Sequence, residues 1–100
     1  MDNNLLDETS RILTEFARTK FTANVLEVNG PIQEGANYRW RLISTRYKEV
    51  TVLLMTKKAF LGRSALAAIE VYGLGERQAL KPNLRELQDF LAKAELVPVR

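Results

Sequence analysis

Apolar positions near the start of the chain recur every three or four residues. Leu5, Leu6, Thr9, Ile12, Leu13, Phe16 and Ala17 fall on one stripe, which predicts a helix over 4–18. Asp2 or Asn3 stands where an N-cap belongs, and Asp7 and Glu8 suit the positive end of the helix dipole. The period then changes. "FTANVLEV", 21–28, alternates and predicts a strand, which Asn29-Gly30 and Pro31 end. The turn-rich 29–37 predicts a loop.

Two further alternating runs predict a hairpin with its connection near Arg46-Tyr47. Over 38–46, Tyr38, Trp40 and Leu42 share one face and Arg39, Arg41 and Ile43 the other. Over 48–56 both faces are apolar, so this strand is expected to be central and covered.

Residues 57–72, "KKAFLGRSALAAIEVY", have helical composition. Leu61, Ala65, Ala68 or Ile69, and Tyr72 fit one helical face, with Thr56 as N-cap and Gly73 as the C′ residue. The alternative makes 65–74 a fourth strand. A last helix over 83–94 is announced by Pro82, by the N-cap Asn83 and by Glu86 three residues on, with Leu84, Leu87, Phe90, Leu91 and Ala94 as its buried stripe. "ELVPVR" leaves as an extended tail.

The expected fold is therefore a single α+β domain over 1–100 in two layers. It has an N-terminal helix, a three-stranded antiparallel sheet (four in the alternative), then one or two C-terminal helices.

Composition narrows the chemistry. The chain has 100 residues, 46% of them hydrophobic, with no cysteine and no histidine. Disulfides and thiolate metal sites are excluded, and the commonest general base and metal ligand is absent. Ser10, Ser44 and Ser64 therefore have no histidine to activate them. Asp7, Glu8, Glu86 and Asp89 fall at helix ends or on polar helix faces, and "GLGER" lacks the spacing of a phosphate loop. The expectation is a non-enzyme with no catalytic residues, no metal and no cofactor. The polar, acidic start resembles no signal peptide, and no apolar run reaches the roughly 18 residues of a membrane span. A cytoplasmic protein without membrane contact is expected.

The net charge of +3 is unevenly spread. Residues 21–63 carry Arg39, Arg41, Arg46, Lys48, Lys57, Lys58 and Arg63 against Glu27, Glu34 and Glu49, while the flanks nearly balance. A basic middle on a balanced chain is the footprint of polyanion contact. Those seven cations are the candidate nucleic-acid contacts. Lys57 and Lys58 at a predicted helix start oppose the dipole, a placement that suits phosphate binding there.

Gly30-Pro31, then Tyr38 with Trp40 and Leu42, then Thr56-Lys57-Lys58 before Ala65 and Ala67-Ala68-Ile69, follow one another in a recognisable order. Across residues 5–72 this resembles the double-stranded-RNA-binding domain family, in a degenerate form. Ile32 and Gln33 stand where that family has a loop histidine, and Leu61 replaces a basic residue. The resemblance implies a helix, three strands and a second helix. It also implies that Lys57 and Lys58 touch phosphates across a major groove while the first helix enters a minor groove.

Two functions compete at this level. One is a nucleic-acid-binding module, for RNA or DNA, whose affinity falls steeply with salt. The other is a protein-interaction domain (dimerising, adaptor or inhibitor) that uses an exposed sheet face or the apolar "VTVLLM", with a homodimer among its forms.

Overall fold

The computed structural model describes residues 3–21, 25–58 and 64–99. Helix α1 spans Asn3–Phe16 and continues as a wider π-type turn through Ala17–Phe21. Five strands follow: β1 Val25–Glu34, β2 Asn37–Ser44, β3 Val50–Lys58, β4 Ser64–Tyr72 and β5 Gln78–Leu80. Helix α2, Leu84–Lys93, closes the order. The sheet is an antiparallel meander in which each strand pairs with the next in sequence.

This corrects the expected count of three strands, or four, to five, with one C-terminal helix. Residues 64–72 are a strand along the full outer half of β3, so no helix forms there. The physical reason is a bulge. Met55 faces Ala68 and Thr56 faces Leu66, which leaves Ala67 as the extra residue. Leu66 and Ile69 thus both pack on the core although they are three apart. That spacing imitates a helical stripe. Thr56 is accordingly no N-cap: it lies in β3, where its hydroxyl donates to the Ala36 carbonyl. Gly73 is no helix C′ residue either. It takes φ +96°, and a Cβ there would lie 2.0 Å from the Glu49 carbonyl oxygen, so both the angle and the space call for glycine.

The first strand also differs from expectation. Phe21 belongs to the π-type turn, and 22–24 lie outside the described residues. Strand β1 runs on through Asn29–Glu34, where a loop is expected. The register shift between Asn29 and Ile32 absorbs Gly30 and Pro31, whose peptide bond is cis. The hairpin turns instead at Gly35, with φ +66°. At the other end the β2–β3 connection is longer than two residues. Ser44 Oγ accepts the Tyr47 and Arg46 amides at 2.9 and 3.2 Å. The C-terminal tail docks on it through Lys48 N–H to Val97 C=O (2.7 Å) and Val99 N–H to Arg46 C=O (2.9 Å).

Both helices pack on one face of the sheet. Tyr38, Trp40 and Leu42 of β2, Val50, Val52 and Leu54 of β3, and Ile69 and Val71 of β4 form its floor. Ile12, Leu13 and Phe16 of α1 and Leu87 and Leu91 of α2 form its roof. Trp40 is fully buried and donates its indole N–H to Ser10 Oγ at 3.0 Å, which ties sheet to helix. Asn83 caps α2, its side-chain oxygen accepting the Arg85 amide at 2.8 Å. Among the described residues, no helix is long and apolar enough to cross a membrane.

Candidate functional site

Strand alternation sends the other half of the sheet's side chains to the face opposite the helices. No described element covers that face. Its central row is Ile32, Arg39, Leu53, Glu70 and Ala79, in register from β1 to β5. Beside it run Arg41, Thr51 and Tyr72 on one side and Asn37, Met55 and Ala68 on the other. Leu53 and Met55 are half-buried, and Tyr72 and Ile32 are 37% and 36% exposed. Strand β3 is thus central in the sheet, as its apolar pattern implies, but it is open on one face.

Three ion pairs lie across this surface. Arg39 reaches Glu34 at 2.8 Å, Arg41 reaches Glu49 at 2.7 and 2.8 Å, and Arg77 reaches Glu70 at 3.1 Å. The Tyr72 hydroxyl donates to the second oxygen of Glu70. Arg39 Nε is shut off from solvent and has no acceptor among the described residues. The face is therefore charge-balanced, with Arg39 and Glu70 directly on either side of Leu53 in its central row.

The seven cations expected to bind nucleic acid do not gather in one place. Arg39 and Arg41 sit on the open face, each already holding a carboxylate. Arg46 and Lys48 are exposed in the β2–β3 connection. Lys57 and Lys58 end β3 beside the β1–β2 hairpin, so they do not stand at a helix start. The stretch from Val50 to Lys57 separates the last two groups by about 23 Å at 3.3 Å per residue. Arg63 lies outside the described residues. Tyr38 and Trp40 face the core rather than the arginines. Sequence reasoning missed Glu70, Tyr72 and Arg77, because reading 57–72 as a helix hid the alternation of "AIEVY".

The Arg41–Glu49 pair has a pH signature. The Arg41 hydrogen bonds hold the Glu49 carboxyl below its ordinary value of 4.5; partial burial opposes them, and the guanidinium charge and the Thr51 hydroxyl (3.3 Å) reinforce them. A depressed carboxylate contributes stability above its unfolded value and loses it as pH falls through the folded value. NMR titration of the Glu49 carboxyl is expected to give a midpoint below 4.5. Arg41→Gln is expected to return it toward that value. An unshifted midpoint in the wild type would contradict the pairing.

The edges of the sheet are blunted. Strand β1 carries Glu27 and Glu34 and is interrupted at Gly30–Pro31. Strand β5 has three residues and is followed by Lys81-Pro82. The stretch of β4 that β5 leaves open contains the bulge at Ala67. Of the sheet's surfaces, the open face is the one suited to contact. Comparison of the chain with protein-family models, with curated proteins and with solved structures finds no match.

Proposed function

We propose that this chain is a non-enzymatic protein-interaction module that binds a second copy of itself through the open face of its sheet. The observation that carries the reading is the charge pattern of that face. Three arginines and three glutamates pair off on it, so it carries no net charge from them, with Leu53 and Met55 between. A two-fold interface sets each residue against another residue of the same patch. A face of one sign would repel its copy, whereas one whose charges are already neutralised within the chain does not. The face is smaller than a standard interface, so a weak, concentration-dependent dimer is expected. The five strands, at a spacing of about 4.8 Å and a length of roughly 25 Å, give a face of about 600 Å². A standard interface uses about 800 Å² per partner. A cytoplasmic location goes with this proposal, in keeping with a chain that has no cysteine.

The nucleic-acid reading finds less support. Phosphate contact needs unpaired cations on one track, and Arg39 and Arg41 already hold glutamates. Lys57 and Lys58 join no ion pair among the described residues, but they are adjacent in β3 and exposed, so strand alternation turns them to opposite faces.

Dilution followed by methyl NMR tests the contact. The Leu53, Met55 and Ala68 signals are expected to move as a concentrated sample is diluted, while those of Leu87 and Leu91 under the helices stay. Signals that hold still on the open face, or that move only on the helices, would overturn the proposal.

A further inference from the structure

We infer, resting on the self-association proposed above, that the two copies meet about a two-fold axis running along β3, with Arg39 of each copy over Glu70 of the other. The central row of the open face reads Ile32, Arg39, Leu53, Glu70 and Ala79 from β1 to β5. Its charges are antisymmetric about Leu53. A cation stands one strand away on the β2 side and a carboxylate one strand away on the β4 side, each about 4.8 Å off.

The ion pairs cancel the charge of the face as a whole, but not column by column. Glu34 of β1 reaches Arg39 from the side away from Leu53, and Arg77, just before β5, reaches Glu70 from the opposite edge. The β2 column therefore keeps its cation next to Leu53, and the β4 column keeps its carboxylate.

Sheets packed face to face in the aligned manner keep their strands within about 30° of each other and lie about 10 Å apart. A two-fold axis between them then runs either across the strands or along them. An axis across the strands through Leu53 lays every strand over its own copy. Arg39 would lie over Arg39 and Glu70 over Glu70, two like-charge juxtapositions that oppose association. An axis along β3 exchanges the β2 and β4 sides. Arg39 then lies over Glu70, twice by symmetry, and Leu53 and Met55 on the axis meet their own copies. One row along, Arg41 comes over Tyr72, a half-exposed ring whose face accepts a cation. In this arrangement the strands of the two copies run the same way, so both Gly35 turns lie at one end of the dimer.

Cross-linking of single-cysteine variants with a short bismaleimide at millimolar concentration tests the axis, because the chain has no cysteine of its own. Asp89→Cys, exposed on α2, sets the level of chance linking. Leu53→Cys is expected to link to its own copy under either axis, so it reports the face alone. A mixture of Arg39→Cys and Glu70→Cys is expected to give a linked heterodimer, identified by its mass; that complex keeps one Arg39–Glu70 juxtaposition intact. Neither variant alone is expected to link above the chance level. If Leu53→Cys links but Arg39→Cys links to itself, or the mixture gives no heterodimer, the axis is overturned and the self-association stands. If Leu53→Cys does not link above the chance level, both are overturned.

Discussion

Gly73→Ala is expected to destabilise the fold by about 3 kcal/mol or more, through strain and overlap together. The glycine turns the chain out of β4 with φ +96°, a region that costs an L-residue roughly 1–2 kcal/mol. The added Cβ would also sit 2.0 Å from the Glu49 carbonyl oxygen, 2.9 Å from its carbonyl carbon and 3.1 Å from Val50 Cα. All three are backbone atoms at the entrance to β3, so no flexible side chain can give way. The end of β4 must move off β3, and the Thr51–Tyr72 pairing goes with it. Gly75 is the internal control. Its φ is +94°, but nothing lies within 4 Å of its Cβ position. Gly75→Ala therefore meets the conformational cost alone, on the order of 1 kcal/mol. Urea unfolding of the two variants measures the difference. Equal losses would contradict the close approach of Gly73 to β3.

Trp40→Ala is expected to cost about 3–5 kcal/mol, a large share of the roughly 5–15 kcal/mol that holds a domain of this size together. Trp40 is the largest fully buried side chain. It lies in β2 with Leu42 and Tyr38 in its row, and it reaches across to α1 through Ser10. Truncation opens a cavity where sheet and helix meet. Trp40→Phe separates the two contributions, because it keeps most of the apolar area and loses only the N–H bond. Its expected cost is about 1–2 kcal/mol, the hydrogen bond and a small void. Ser10 is half-exposed and rehydrates when the indole is gone. A loss below about 1 kcal/mol for Trp40→Ala would mean that the two layers are not joined there.

The elements that could be read from sequence are those whose side-chain period is unbroken. Helix α2 has its Asn83 cap and its Leu84, Leu87, Leu91 stripe, and β2 and β3 alternate without interruption. The elements that misled carry an irregularity. The bulge at Ala67 converts a two-residue period into the Leu66–Ile69 spacing of three, in a segment already rich in alanine. Strand β1 carries Gly-Pro inside it, a pair that ordinarily ends a strand. Glycine at 73 was needed for positive φ in either reading, so it could not discriminate between them.

The surfaces were harder to foresee, because register decides them. Arg39 and Arg41 look like free cations in sequence. Strand pairing and the hairpin turn bring Glu34 and Glu49 to them, one from each side. Glu70, Tyr72 and Arg77 join the same face only once β4 is a strand. The same register leaves Lys57 and Lys58 at the hairpin end of β3, away from those glutamates. A count of charges along the chain contains none of this.

Sedimentation equilibrium of the wild type beside Leu53→Glu tests whether the open face of the sheet binds its own copy. Leu53 is half-buried in the middle of that face, so the variant places a charge there without opening the core. The wild type is expected to pass from monomer to dimer with rising concentration, and the folded variant to stay monomeric. A wild type that remains monomeric at millimolar concentration, or a variant that dimerises as the wild type does, would contradict it.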